Sequence, residues 1–354
     1  MASLPHRYGS LRRQFSMKEA MWYQKLSDGR VRCDLCNHRC VIADGKRGIC
    51  GVRENKDGTL YSLVYGKVIA THVDPIEKKP LFNFYPGTRA FSIATVGCNL
   101  KCTHCQNADI SQMPVDRNRI MGQDATPEQI VQMAEETQSE SIAYTYTEPT
   151  IFMEYAYDTA KIARERGIKN VFVTNGYMTE DALRDMQPYL DAANVDLKGF
   201  TEDHYRNVCG ARLKPVLDNL KLMKELGIWV EVTTLIIPTV NDSEEQLKGI
   251  AEFILSLGPE TPWHVSRFHP TYKMLDLPPT PVKSIVRARQ IGMEVGLRYV
   301  YSGNVPGDKG ENTYCHNCGK VIIPRYGYQL GKTHVKDSKC EYCGTEAGIV
   351  QDSV

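Results

Sequence analysis

The feature that most constrains the fold is a regular alternation of strand-like and helix-like segments through the middle of the chain. The candidate strands are apolar, β-branched runs at residues 91–96, 141–147, 170–174, 192–197, 228–237, 263–268 and 297–302. Helix-period segments separate them. Because repeated strand–helix units place helices on both faces of a parallel sheet, the sequence predicts an α/β fold.

Several of the predicted helices have recognisable ends. Thr126–Gln129 reads as an N-cap, a first-turn proline and a capping-box glutamine, and Ser243–Gln246 repeats the box. Glycines stand where helices should end, at Gly167, Gly227 and Gly296. Six or seven such strand–helix units predict a partial (β/α)6-type TIM barrel.

The composition divides the chain into three regions. We predict a cysteine-rich, metal-binding cap over residues 1–90, with a hairpin at Asp57-Gly58, followed by the partial barrel over residues 91–305. The segment "PGDKGENT" then reads as a linker into a small metal-organised module over residues 306–354. This last region carries two CxxCG motifs.

Charge and hydropathy exclude several classes of partner. The formal charge is +1, from 43 basic and 42 acidic residues, so no strong field exists to hold nucleic acid or an acidic membrane surface. No apolar run approaches the roughly 18 residues of a membrane span, and the first 30 residues lack the apolar block of a secretory signal. We therefore expect a cytoplasmic protein with no membrane partner.

Eleven of the twelve cysteines fall into three groups. Their gaps of two and three residues disfavour disulfides and favour metal binding. The groups are Cys33, Cys36, Cys40 and Cys50; Cys98, Cys102 and Cys105; and Cys315, Cys318, Cys340 and Cys343. Cys209 stands alone, and a buried apolar role is expected for it rather than a reactive one.

The middle group, in "SIATVGCNLKCTHCQN", has three cysteines where a closed site needs four ligands. A strand-to-helix loop with three thiolates suits an iron–sulfur cluster in which one iron has no protein ligand, and substrate or cofactor could bind there. The loop follows the first predicted barrel strand, at the face where such folds place their chemistry. A zinc site completed by His104 is the alternative.

This CxxxCxxC array after the first strand resembles the radical S-adenosylmethionine (SAM) superfamily. The resemblance implies that Cys98, Cys102 and Cys105 hold a 4Fe-4S cluster whose free iron chelates the amino and carboxylate groups of SAM. One electron then cleaves SAM to methionine and a 5'-deoxyadenosyl radical. The family usually has an aromatic residue before the third cysteine, and here that position is His104.

Along the barrel the chain is most similar to activating enzymes of glycyl radical enzymes, such as pyruvate formate-lyase activating enzyme. The segments "YTYTEP", "VFVTNGYM", "NVDLKGF" and "RFHPTYKM" stand where that family has SAM-lining segments. The resemblance implies cofactor-binding roles for Thr147, Glu148, Thr174, Asn175, Asp196, Lys198 and His269. The glycines that precede the glutamate in the family are absent here.

The sequence does not determine which metal the N-terminal and C-terminal cysteine groups bind. Four thiols in each could close a zinc site or hold iron, and the C-terminal pairs resemble zinc ribbons or rubredoxin-like knuckles. Zinc would make the C-terminal site structural, and iron would make it a redox carrier. Zinc ribbons can bind nucleic acid, but the basic residues of this module are typical of a solvated surface.

The combination of these groups with "DPIEKKPLFNFYPGT" and "ENTYCHNCGK" resembles the AmmeMemoRadiSam system radical SAM enzymes. That resemblance implies a radical SAM enzyme that acts beside Memo-like and AMMECR-like proteins on an unidentified substrate. Because oxygen would destroy an exposed cluster, we expect an anaerobic setting and a low-potential electron donor such as ferredoxin or flavodoxin. The alternatives are an activating enzyme that generates a glycyl radical on a protein partner and a zinc-organised binding scaffold.

Overall fold

The computed structural model describes residues 17–352 of the 354-residue chain. The first 16 residues of the predicted N-terminal region and the last two of the C-terminal region lie outside the described residues. The N-terminal part contains short antiparallel strands, and β8 joins the central sheet. These strands are β1 (Lys18–Glu19), β2 (Tyr23–Lys25), β3 (Val31–Cys33), β4 (Val41–Ile42), β5 (Arg53–Lys56), β6 (Thr59–Ser62), β7 (Lys67–Val68) and β8 (Ala70–Pro75).

The centre of the fold is an eight-stranded, mostly parallel sheet. Its further strands are β9 (Arg89–Ala94), β11 (Ser141–Tyr144), β12 (Lys169–Thr174), β13 (Ala192–Asp196), β14 (Trp229–Ile236), β15 (Trp263–Arg267) and β16 (Val300–Gly303), while β10 (Gln123–Asp124) pairs with β7 outside the sheet. These seven strands lie side by side in chain order and are all parallel; only β8 pairs antiparallel, with β9. All seven strands expected from the sequence are confirmed.

Helices connect the parallel strands and cover the sheet. They are α1 (Ala108–Ser111), α2 (Met113–Asp116), α3 (Pro127–Glu136), α4 (Met153–Glu165), α5 (Glu180–Met186), α6 (Glu202–His204), α7 (Leu213–Glu225), α8 (Glu244–Ser256) and α9 (Val282–Val295). Their apolar faces pack against the strands in a core that includes Ile142, Phe172 and Trp263. Ala143 and Val171, on the same strands, belong to a second buried cluster. The strands are buried on nearly every residue, as expected for a sheet covered on both sides.

The helix ends agree with the sequence in all but one respect. Thr126 and Gln129 form the predicted reciprocal capping box at α3. Ser243 caps α8, but the box predicted there is wrong, because the Gln246 side chain does not accept from the Ser243 backbone N–H and instead donates to the Val240 carbonyl. Glycines with positive φ follow α4, α7 and α9, as predicted for Gly167, Gly227 and Gly296.

The C-terminal region is a set of short hairpins docked at the amino ends of the parallel strands. They comprise β17 (Thr313–Tyr314), β18 (Val321–Ile323), β19 (Arg325–Tyr326), β20 (Gln329–Leu330), β21 (Val335–Lys336) and β22 (Lys339–Cys340). The buried guanidinium of Arg325 donates to the Phe82 carbonyl at 2.7 Å, and Val350 exchanges backbone hydrogen bonds with residues 83 and 85. The backbone N–H of Phe82 in turn donates to Glu231 near the start of β14.

Candidate active site at the carboxyl ends of the parallel strands

The CxxxCxxC segment forms the loop between β9 and α1. Cys102 is 8% exposed, and Cys98 and Cys105 are half-buried. The backbone N–H of Leu100 approaches the Cys98 sulfur at 3.4 Å, and the Cys105 sulfur lies 3.2 Å from the Ser111 hydroxyl. The loop therefore presents three thiols at the edge of the sheet where parallel strands place their functional groups.

A second segment holds this loop from the side. The backbone N–H groups of Lys101 and Thr103 donate to the carbonyls of Cys209 and Val208 at 2.8 and 3.0 Å. Cys209 is fully buried, and a hydrogen bond to Cys102 raises the pKa of its thiol. Cys209 is buried as expected, but its contact with Cys102 could not be predicted from the spacing of the cysteines.

Glu148 is a buried hydrogen-bond acceptor rather than an exposed carboxylate. It is 1% exposed and accepts from the Thr150 N–H and hydroxyl, the Thr174 hydroxyl and the Asn175 N–H, at 2.5 to 3.0 Å. Burial raises the pKa of Glu148, and these hydrogen bonds oppose the shift. The side chain thus ties the end of β12 to the segment after β11.

Asn175 carries this connection to the first cysteine. Its side-chain N–H₂ donates to the Asn99 side-chain oxygen at 2.7 Å and lies 3.8 Å from the Cys98 sulfur. Its side-chain oxygen accepts from the Tyr177 N–H at 3.0 Å, which fixes the orientation of the amide. A continuous set of hydrogen bonds therefore runs from Glu148 through Asn175 to the cysteine loop.

Lys198 supplies a half-buried positive charge beside the second cysteine. Its ammonium donates to Asp196 at 2.9 Å, at the end of β13. Although burial alone lowers the pKa of Lys198, the Asp196 carboxylate and the Cys102 sulfur raise it well above its ordinary value. The lysine therefore stays protonated next to the cysteine loop.

The remaining predicted site residues are placed differently. Thr147 is half-buried and donates to the Thr95 carbonyl at 2.8 Å, whereas His269 is exposed on the segment after β15. His104 is 4% exposed, and its burial, together with the nearby charges of Lys198 and His204, lowers its pKa to about 3. Among residues 17–352, His104 does not join the cysteines in a group with ligand atoms within 4.8 Å of one another, so the geometry does not favour the predicted zinc alternative.

The N-terminal cysteines lie beside this loop, also at the carboxyl ends of the strands. Cys36 forms a backbone bridge with Met178, and the Asn37 N–H donates to the Tyr177 carbonyl at 3.0 Å. The His38 ring donates to the Asn99 carbonyl at 2.8 Å, between the first and second cysteines of the loop. Gly97 needs its positive φ and missing side chain here, because a Cβ atom would lie 2.7 Å from Val52 and 3.4 Å from the Cys50 carbonyl.

The C-terminal cysteines form the tightest group in the described part of the chain. The ligand atoms of Cys315, Cys318, Cys340 and Cys343 all lie within 4.8 Å of one another, with 3.6 Å between the first and last sulfurs and 3.9 Å between the middle two. A tetrahedral ion with metal–sulfur bonds of about 2.3 Å requires sulfur separations of about 3.8 Å. The group has the geometry of a single-ion site.

Comparisons with known proteins give the family. The model of the radical SAM superfamily matches residues 92–254, which include all three cysteines of the loop. The chain is 50% identical over 337 residues to the uncharacterized protein MJ0808 of Methanocaldococcus jannaschii, covering 94% of this chain and all of that protein. It is 24% identical over 178 residues to the pyruvate formate-lyase-activating enzyme of Clostridium pasteurianum, covering 49% of this chain and 71% of that enzyme.

The chain belongs to the radical SAM superfamily. A similar solved structure is a domain of the pyruvate-formate lyase-activating enzyme of Bacteroides vulgatus, with a TM-score of 0.40 and 21% identity, covering 46% of this chain and 99% of that domain. Membership makes this radical SAM protein an enzyme that uses SAM, and it implies a 4Fe-4S cluster. In residues 17–352, no helix is long and apolar enough to cross a membrane.

The hydrogen bonds of Glu148 generate a stability prediction. Glu148→Gln replaces one acceptor oxygen with an N–H₂ group that must face a donor, so the free energy of unfolding should fall by about 1–3 kcal/mol. Urea denaturation followed by circular dichroism measures the change. Glu165→Gln, on the exposed side of α4, is the matched control and should change it by less than about 0.5 kcal/mol. Equal stability of the two variants would contradict the assigned role.

Proposed function

We propose that this radical SAM enzyme cleaves SAM reductively at Cys98, Cys102 and Cys105 and uses the resulting 5'-deoxyadenosyl radical to abstract hydrogen from a substrate. The observation that carries the proposal is a loop with three thiols at the carboxyl ends of the parallel strands, inside the segment that matches the family. Family membership favours such an enzyme over a zinc-organised scaffold. An anaerobic setting fits an oxygen-sensitive cluster of this kind.

The donor set of the loop fits an iron–sulfur cluster. Three thiols suit a four-iron cluster with one iron left for SAM, and the protonated Lys198 offsets part of the negative charge of thiolates at this position. When bound, the cluster supplies the electron that cleaves SAM. The part of the protein is to hold the three thiolates and to keep the neighbouring polar groups in place.

We assign two kinds of role to the other predicted residues. Glu148 and Thr174 position the strand ends, because their polar side-chain atoms are used in internal hydrogen bonds. Candidates for direct contact with SAM are the more accessible groups. Asn175 has a position between these two sets of residues, because its side chain contacts the Cys98 sulfur. The accessible candidates are Thr147, Asp196, Lys198 and His269.

The three-region organisation also belongs to this proposal. Residues 1–90 form the cysteine-rich cap, residues 91–305 the partial barrel and residues 306–354 the C-terminal module. Chain-order pairing of seven parallel strands supports a curved, partly closed barrel, since barrels add their strands in this order. The hydrogen bonds from Cys36 and Asn37 to the segment after β12 support a cap over the barrel mouth.

Each outer cysteine set holds a further metal centre in this proposal, zinc or iron–sulfur. For Cys315, Cys318, Cys340 and Cys343 the short sulfur separations support a single tetrahedral ion, zinc or iron. This module docks at the amino ends of the strands, opposite the Cys98 loop. Because the module lies at the opposite end of the sheet from the Cys98 loop, this position favours a structural role for its metal over delivery of electrons to SAM.

The proposed partners follow from the chemistry and from the sequence resemblance. A low-potential electron donor such as ferredoxin or flavodoxin supplies the electron. Likeness of "DPIEKKPLFNFYPGT" and "ENTYCHNCGK" to the AmmeMemoRadiSam system enzymes supports Memo-like and AMMECR-like proteins as partners in one pathway. We place the protein in the cytoplasm, where such donors work.

Reductive cleavage is tested by anaerobic reconstitution with iron and sulfide, followed by SAM and dithionite. Wild-type protein should form 5'-deoxyadenosine, measured by liquid chromatography, and Cys102→Ala should lower its yield at least about 100-fold, because one iron loses its only protein ligand. Ser256→Ala, an exposed change on α8, is the control and should keep the wild-type yield. Iron-loaded wild-type protein that forms no 5'-deoxyadenosine would refute the proposal.

A second candidate function is activation of a glycyl radical enzyme. Relatives named as activating enzymes favour it, including those for pyruvate formate-lyase and choline trimethylamine-lyase. In this case the radical abstracts hydrogen from a backbone glycine of a protein partner. The cysteine-free stretch from residue 106 to residue 208 differs from activating enzymes that insert ferredoxin-like cysteines after the array.

Electron paramagnetic resonance decides between the two candidates. If the protein is an activating enzyme, incubation of the reduced protein and SAM with a candidate partner should produce a glycyl radical doublet on the partner. The same mixture containing Cys102→Ala should give none. SAM cleavage without any such doublet, together with a deuterium-labelled small molecule that transfers its label to 5'-deoxyadenosine, would support a small-molecule substrate instead.

A further inference from the structure

The four N-terminal cysteines surround a cavity next to the candidate active site. Cys33, Cys36, Cys40 and Cys50 all line it. The other walls include the apolar side chains of Leu35, Ile42, Ile49 and Ile151. Cys33 and Cys50 are buried, while Cys36 and Cys40 are half-buried, so the cavity lies just beneath the surface.

The spacing of these thiols differs from that of a single-ion site. Within residues 17–352, the C-terminal set brings its possible ligand atoms within 4.8 Å of one another, and the N-terminal set does not bring three of its sulfurs that close together. The N-terminal sulfurs are therefore spread more widely around their cavity than one tetrahedral ion permits, since such an ion needs separations of about 3.8 Å. Wider separations between the four cysteine sulfurs are instead those expected for an iron–sulfur cluster, in which each cysteine sulfur binds a different iron.

Two buried N–H donors on the wall of the cavity have no partner. Arg53 is 2% exposed and its Nε is unsatisfied, although its two terminal nitrogens donate to Glu154 at 2.9 and 2.7 Å. Asn99 is 1% exposed and its Nδ2 is also unsatisfied. Its amide orientation is fixed, because its side-chain oxygen accepts from Asn175.

An unsatisfied buried donor destabilises the fold, so two on one cavity wall call for an acceptor there. Inorganic sulfide and thiolate sulfur accept N–H hydrogen bonds, and such bonds tune the reduction potential of iron–sulfur clusters. An iron–sulfur cluster would also be anionic, and the Arg53 guanidinium offers positive charge at the same wall. A bare zinc ion has no acceptor atoms of its own beyond the four thiolates.

We propose that Cys33, Cys36, Cys40 and Cys50 hold a second 4Fe-4S cluster, with Arg53 and Asn99 as hydrogen-bond donors to its sulfur atoms. This deepens the proposed metal centre of the N-terminal set and rests on it. All four irons have protein ligands here, so the cluster binds no substrate and can only exchange electrons. Asn99 lines the cavity and directly follows Cys98, which places the two clusters on either side of one residue.

The test removes the first cluster and asks what remains. The variant Cys98→Ala, Cys102→Ala and Cys105→Ala, reconstituted anaerobically with iron and sulfide, should keep about four acid-labile sulfides per chain and a dithionite-dependent paramagnetic signal. Sulfide is the decisive count, because a rubredoxin-like C-terminal ion would add iron but no sulfide. About two sulfides, or one zinc in the N-terminal set without sulfide, would overturn the proposal.

A complementary variant controls for misfolding. Cys36→Ser with Cys40→Ser leaves the buried Cys33 and Cys50 in place and should lower the wild-type count from about eight sulfides to about four. Circular dichroism should show an unchanged fold. Failure of SAM cleavage in wild-type protein would refute the proposed function but leave the sulfide counts intact, so the two failures are distinguishable. An unchanged sulfide count in this double variant would contradict the second cluster.

Discussion

One buried carboxylate, that of Glu148, connects the parts of the candidate active site. It accepts hydrogen bonds from the segment after β11 and from the end of β12, and Asn175 extends the connection to Asn99 and the Cys98 sulfur. Because the parallel strands end at the same edge of the sheet, a few short hydrogen bonds are enough to fix the cysteine loop against them. The position of the three thiols therefore depends on polar contacts that are shielded from water.

The same edge of the sheet organises the rest of the molecule. The N-terminal cysteines dock there through Cys36, Asn37 and His38, whereas the C-terminal module docks at the opposite end through Arg325. This arrangement separates two kinds of cysteine site. The one at the far end is compact and has the dimensions of a single ion, and the two at the near end have their sulfurs further apart. Under the proposed function, redox chemistry and structural metal binding lie at opposite ends of one sheet.

Periodicity and spacing predicted much of this architecture. The seven parallel strands, the capping box at Thr126 and the Asp57-Gly58 hairpin were predictable because each depends on local preferences: apolar runs, side-chain caps and positive φ. The three cysteine groups were visible for the same reason. Their close spacing along the chain marks metal ligands before any tertiary contact is known.

Contacts between distant segments were not predictable. The residues adjacent to Glu148 in the sequence do not indicate that its carboxylate accepts several hydrogen bonds. Nor does the sequence indicate that Cys209 contacts Cys102, more than 100 residues away. The unsatisfied donors of Arg53 and Asn99 are equally invisible in sequence, because being unsatisfied depends on every neighbour in three dimensions. The capping box predicted at Ser243 failed for a related reason, since the Val240 carbonyl competes for the Gln246 side chain.

In the proposed function, SAM binds directly to the cluster of the Cys98 loop. Electron paramagnetic resonance of the dithionite-reduced protein, recorded before and after addition of SAM, tests it most directly. We expect SAM to change the g values of one cluster signal in wild-type protein and to leave the spectrum of the Cys98→Ala, Cys102→Ala, Cys105→Ala variant unchanged. A fully iron-loaded wild-type protein whose spectrum does not respond to saturating SAM would contradict it.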